Sequence, residues 1–155
     1  MDERITLLSQ LVKSALDELY CNDRYLLDHC VHERSIVFRF AHYLQKLLDE
    51  HKEFLGFNLD VEYNRNGYRP KRIPSRRNGA RPDIIIHKRG SNKSNLLMIE
   101  FKTYWDTRTS DDLKKLKEFT RHDGRYNFFL GLSIIFGEER STVEIKLVRN
   151  GEVMN

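Results

Sequence analysis

Apolar residues recur along the first part of the chain at the spacing of a helix. Ile5, Leu8, Leu11, Val12, Ala15, Leu16 and Leu19 fall at three- and four-residue steps, which predicts an amphipathic helix over about Asp2 to Tyr20. A second stripe, Ile36, Val37, Phe40, Ala41, Leu44, Leu47 and Leu48, predicts a longer helix from about Val31 to Lys52. Glu33 stands four residues before Val37, so a carboxylate continues that apolar stripe. The period then changes. In FNLDVEYN, Phe57, Leu59, Val61 and Tyr63 alternate with polar neighbours, the pattern of a strand with one wet face. DIIIHK and NLLMIEFK follow as two apolar runs joined by RGSNKSN, a linker of turn-forming residues, and together they predict a hairpin. A third helix is expected over about Ser110 to His122, with Leu113, Leu116 and Phe119 inward and Gly124 as its stop. YNFFLGLSIIF reads as a buried strand, and TVEIKLV as an alternating strand at the sheet edge.

The expected order is helix, helix, three strands, helix, two strands. A helical crossover after three consecutive strands implies an α/β fold, with a mixed sheet of four to five strands flanked by helices and an extra N-terminal helix. A chain of 155 residues suits a single domain spanning 1–155. Hydrophobic residues at 39% and charged residues at 32% describe a soluble, core-forming protein, because aromatic and branched residues recur throughout. The acidic start MDERITLL is unlike a secretory leader, and FFLGLSIIF is too short to span a bilayer. The expectation is a cytoplasmic protein without a membrane partner. Cys21 and Cys30 make no disulfide framework and are read as reduced, and His29, Cys30 and His32 do not match a zinc-ligand spacing.

Charge alters the picture locally. The net charge is only +4, but Arg65, Arg69, Lys71, Arg72, Arg76, Arg77 and Arg81 lie in a segment without one acidic residue. Arginine forks suit phosphate oxygens, so this segment is a candidate backbone-gripping loop for nucleic acid.

The hairpin carries the chemistry. With its turn centred between Ser91 and Asn92, His87 faces Leu96, Ile85 faces Met98 and Asp83 faces Glu100. Opposed residues of an antiparallel pair hold their Cβ atoms about 4.5–5.5 Å apart on one face. Lys102, two residues beyond Glu100, points to the same face. Two carboxylates so close need a shared proton or a cation. A hard divalent ion meets that need with oxygens from Asp83 and Glu100, the backbone carbonyl of Phe101, water and a substrate phosphate. It would activate a water and draw charge from the phosphoryl group, with Lys102 orienting the water or offsetting developing charge. A plainer arrangement is also open, in which Asp83 caps a strand and Glu100 pairs with Lys102 at an exposed strand end.

Pro82-Asp83 followed by Glu100-Phe101-Lys102 resembles the PD-(D/E)xK nuclease superfamily, the restriction-endonuclease-like phosphodiesterases. The order of elements over residues 31–136 is similar to that family's core. The resemblance implies a restriction-endonuclease-like core, Asp83 and Glu100 as ligands of Mg²⁺ or Mn²⁺, Lys102 as the catalytic lysine, and nucleic acid as substrate. Many members add an acid from the helix before the first strand, a place that Glu33 fills; Glu62 on the first strand is the competing acid. Tyr104 and Trp105 could stack on a base or pack internally, and His87 shares the face of Asp83.

The leading reading is thus a metal-dependent nuclease acting on DNA more readily than RNA. The alternatives are a non-catalytic nucleic-acid-binding or protein-interaction module that keeps the fold, and a small-molecule phosphoesterase, for which salt would matter little. An enzyme that cuts both strands would suit a homodimer, with the first helix as one candidate interface.

Overall fold

In the computed structural model, which describes residues 2–108 and 111–154, a mixed six-stranded sheet lies between helices on its two faces. Helix α1 (Glu3–Asn22) is opened by Asp2, whose side chain accepts the Arg4 N–H at 3.1 Å. A short helix α2 (Arg24–Asp28), not expected from the sequence pattern, turns the chain into α3 (Glu33–Asp49). There the His32 imidazole accepts the Arg34 N–H at 3.2 Å, so the cap places Glu33 in the first turn. The sheet strands are β1 (Asn58–Val61), β4 (Ile84–His87), β5 (Asn95–Thr103), β6 (Leu130–Phe136), β7 (Glu144–Arg149) and β8 (Glu152–Val153), adjacent in that order. β2 (Arg65–Asn66) and β3 (Arg69–Pro70) form a separate two-stranded ribbon. Helix α4 (Asp112–Thr120) is the crossover that makes β6 parallel to β5; the other neighbours in the sheet run antiparallel.

Alternation along β5 divides the interior. Leu97, Ile99 and Phe101 join Ile84 and Ile86 beneath α1 and α3, whereas Met98 and Ile85 lie beneath α4 with Leu116 and Phe119. Covered on both sides, β4 and the first part of β5 read as unbroken apolar runs. Each fully buried Leu or Ile here contributes about 1.5–3 kcal/mol relative to an exposed one. On the α1/α3 face, Phe101 stacks on Phe136 at 5.1 Å and meets Phe40 edge-on at 5.1 Å. On the α4 face, Gly131 of β6 is needed for close approach, because a Cβ there would sit 3.0 Å from Thr120 Cγ2.

Several expectations are corrected. The sheet has six strands rather than four to five, since the chain turns back at Asn150 and Gly151 and adds β8; the TVEIKLV strand is therefore interior, not the edge. The first strand stops at Val61, because Glu62 adopts a left-handed φ of 52°. The hairpin register holds for Ile84–Ile99, Ile85–Met98 and Ile86–Leu97, but a bulge then pairs His87 with Asn95 instead of Leu96. The third helix ends at Thr120, ahead of Gly124, and Ser110, its expected start, lies outside the described residues. Both cysteines are free and exposed. Among the described residues no helix is long and apolar enough to cross a membrane.

Candidate active site

Where β4 begins and β5 ends, the elements converge on an acid-lined cleft. Asp83 precedes the first residue of β4, and its Oδ2 accepts the Phe101 N–H at 2.8 Å. Side chains alternate along a strand, so with Phe101 turned to the α1/α3 core, Glu100 and Lys102 face the α4 side. Glu33 reaches the cleft from the N-terminus of α3, and Asp112 and Lys115 reach it from α4. The cleft has a volume of about 340 Å³ and is lined by Glu33, Asp83, Glu100, Asp106 and Asp112, five carboxylates, against three cations, Lys102, Arg108 and Lys115.

This acid excess shows in the ionisation of the site. Glu100, only 3% exposed, is raised well above the ordinary carboxylate range by burial first and then by Asp83; Lys115 opposes the rise. Asp83 is raised by burial, opposed by its bond from the Phe101 N–H and by Lys115. Burial and the carboxylates of Asp83, Asp106 and Asp112 push Glu33 up to about 7. Asp106 goes the other way, held at about 2 by hydrogen bonds from Arg108. The Lys115 ammonium lies 2.8 Å from Glu100 Oε1 and donates to the Arg81 carbonyl at 3.0 Å. That contact compensates the charge of the buried Oε1, and among the described residues no second group donates to that oxygen.

The donor set fits a hard divalent cation in part. Asp83, Glu100 and the Phe101 backbone carbonyl offer oxygen ligands, and the buried Glu100 oxygen has unfilled acceptor capacity. Because the N–H and C=O of one residue in an extended strand point to the same side, Phe101 presents its carbonyl to the same edge as the N–H that meets Asp83. Among the described residues, however, no three His, Cys, Asp or Glu side chains converge as a ready cage. Magnesium commonly takes one or two carboxylates and keeps several waters, so two acids and a carbonyl suffice for it.

Other expected site residues have different partners or places from those expected. Glu62 adjoins the cleft, in a neighbouring pocket with Glu33 and Asp83, but its carboxylate pairs with Arg34 at 2.8 Å and approaches Arg81 at 4.0 Å. Lys102 lines the cleft, but its ammonium donates to the Arg108 carbonyl, not to Glu100. In the basic segment, Arg65, Arg69, Arg72, Arg76, Arg77 and Arg81 are exposed, with Arg76 paired to Asp111 at 2.8 Å. Lys71 is not part of that surface: it is 2% exposed, because the chain after β3 folds inward under Tyr126. His87 is also buried, and its Nε2 lies 2.8 Å from Asp60, away from the cleft. Trp105 packs against the core, leaving Tyr104, 39% exposed, as the accessible ring of the pair.

Lys115 and Asp112 were missed from the sequence. The signal was present, since residues 112, 115, 116 and 119 share one helical face at i, i+3, i+4 and i+7, placing an acid and a base on the inward stripe of α4. No protein-family model, curated protein or solved structure matches this chain.

Proposed function

We propose that the chain is a metal-dependent phosphodiesterase that hydrolyses nucleic acid, with DNA as its first substrate, built on a restriction-endonuclease-like core of the PD-(D/E)xK kind. The observation that carries the reading is that Asp83, the buried Glu100 and Glu33 line one open cleft with more acid than base. Burying carboxylates together costs stability, and a structural role gives no reason to accept that cost. Asp83, Glu100 and the Phe101 carbonyl would hold Mg²⁺ or Mn²⁺. Such an ion, when bound, acts as a Lewis acid on a phosphoryl oxygen and makes a water more acidic.

The chain's own groups supply the remainder. Glu33, at about 7, is half ionised at neutral pH and can accept a proton from an attacking water at a carboxylate oxygen. Lys115 sets the charge balance at Glu100, and Lys102, held by the Arg108 carbonyl at the cleft, can offset charge on a phosphate entering there. Arg65, Arg69, Arg72, Arg77 and Arg81 leave exposed guanidinium groups along one segment for backbone phosphates.

The test incubates the purified protein with Mg²⁺ or Mn²⁺ and with duplex DNA, single-stranded DNA and RNA. Cleavage should fall by about 10² or more in Asp83→Asn and persist in Glu152→Gln on the exposed edge strand β8. Retained cleavage in Asp83→Asn, or none by the folded wild-type chain on any substrate, would overturn the proposal. The Lys115–Glu100 ion pair favours a second reading, a binding module without catalysis, because it compensates the buried acid without a metal. Nucleic-acid affinity unchanged by divalent ions, together with absent cleavage, would select that reading.

A further inference from the structure

A second polar cavity, about 250 Å³, opens on the sheet between the β2–β3 ribbon and the β4–β5 turn. Tyr63, Arg65, Asn66, Lys71, His87 and Asn92 line it with three further turn residues, and none of its lining residues is Asp or Glu. Its floor holds the Lys71 side chain. The backbone there is fixed from both sides: the Lys71 N–H donates to the Asn64 carbonyl at 2.7 Å, and the Lys71 carbonyl accepts from the Ala80 N–H at 2.6 Å. The Lys71 ammonium lies 5.3 Å from the Tyr63 ring centroid and 5.1 Å from that of Tyr126. Among the described residues no carboxylate pairs with it. Burial alone draws it down to about 8.

A buried cation without a counter-ion is costly, and two ring faces offset only part of that cost. The neighbours do not supply the missing charge. Asp60 is engaged by His87 and Arg89 and does not line the cavity. They supply further donors instead. Arg65 brings a guanidinium group, and Asn92 donates to Asn66 Oδ1 at 2.9 Å, which orients the Asn66 amide and leaves its N–H₂ group as a donor. Ammonium, guanidinium and amide donors around a cavity of about eight water volumes match a tetrahedral oxyanion.

We infer that this cavity is a phosphate-binding subsite, separate from the acid cleft, in which Lys71 and Arg65 neutralise the phosphate and Asn66 hydrogen-bonds it. His87 stands four residues along β4 from Asp83, about 13 Å of strand. If the acid cleft cuts nucleic acid, the subsite therefore holds a phosphate some way along the strand from the cut. The subsite itself does not rest on that reading. The phosphate could be a strand-terminal monoester, an internal diester or a small phosphorylated molecule, and the recognising chemistry is the same.

The test uses the whole chain in EDTA, where binding is read without cleavage. Inorganic phosphate is titrated by amide NMR at Gly67 and Gly90, and oligonucleotides with phosphorylated or hydroxyl ends are titrated by fluorescence anisotropy. Saturable binding of phosphate or oligonucleotide, weakened about tenfold in both Lys71→Met and Arg65→Ala, is the expected result. A preference for phosphorylated ends assigns a terminal phosphate, equal binding of both ends an internal one, and binding of inorganic phosphate alone a small ligand; each supports the subsite. Binding that Lys71→Met and Arg65→Ala leave unchanged, or no binding of any probe, overturns it. Arg65 is exposed on the ribbon, so the inorganic-phosphate titration of Arg65→Ala, which a backbone grip on nucleic acid would not affect, remains informative if Lys71→Met fails to fold. Loss of nuclease activity elsewhere would leave this measurement untouched.

Discussion

Replacing Glu33 by Gln should make the protein more stable at alkaline pH. The side chain sits in the first turn of α3, where the helix dipole favours a negative charge by ~0.3–1 kcal/mol. Burial and the carboxylates of Asp83, Asp106 and Asp112 work against that charge and raise the group from 4.5 to about 7. At about 1.4 kcal/mol per pH unit, the rise sets an upper bound of about 3.5 kcal/mol. Because the group is only partly buried, solvent screening reduces this to about 1–2 kcal/mol, still larger than the dipole effect it opposes. The folded-state value lies above the unfolded one, so the folded protein holds the proton more tightly. The stability this provides is complete below about pH 4.5 and is lost as pH rises through about 7. Gln keeps the shape and cannot ionise. Thermal melts in EDTA should show Glu33→Gln about 2–6 °C above wild type at pH 8, with the two coinciding near pH 5. If the cleft holds Mg²⁺ as proposed, adding the ion should narrow the gap at pH 8 by offsetting the repulsion among the acids. A Glu33→Gln protein that melts at or below wild type at pH 8 would refute the reasoning, since it would mean that Glu33 is held ionised by a cation such as Arg108.

Two further predictions concern the α4 side. Lys115→Met leaves Glu100 buried without its ion pair. Glu100 titrates above its unfolded value, so the loss should grow with rising pH, reaching about 3 kcal/mol once the acid is forced to ionise, and should shrink in the Glu100→Gln background; a loss independent of pH in urea melts would assign Lys115 only its bond to the Arg81 carbonyl. Gly131→Val should cost ~1–3 kcal/mol by denaturant unfolding, because a Cβ at that position already lies 3.0 Å from Thr120 Cγ2 and 3.1 Å from Leu116 Cδ2; unchanged stability would mean that α4 can lift from the sheet without penalty.

The local periods along the chain determined much of this protein. The stripes of α1 and α3 and the two runs of the β4–β5 hairpin are legible because a helix repeats at 3.6 residues and a strand at two, so neighbours in sequence decide which side is buried. The shared side of Ile85 and Met98, and with it the direction of Glu100, follows from the same short-range rule. The bulge at His87 escaped it, because the turn residues fix the register only approximately.

Partners distant in sequence were decided by the tertiary structure. The basic segment reads as uniform, yet only the packing of Tyr63 and Tyr126 separates the buried Lys71 from its exposed arginines. Glu33 and Glu62 looked interchangeable until Arg34 took Glu62, and Lys102 looked like the ammonium beside Glu100 until α4 brought Lys115 across the sheet. A side chain's direction follows from the backbone period of its own element, but its charge partner depends on which other elements cover it, and those contacts join residues that no local pattern relates.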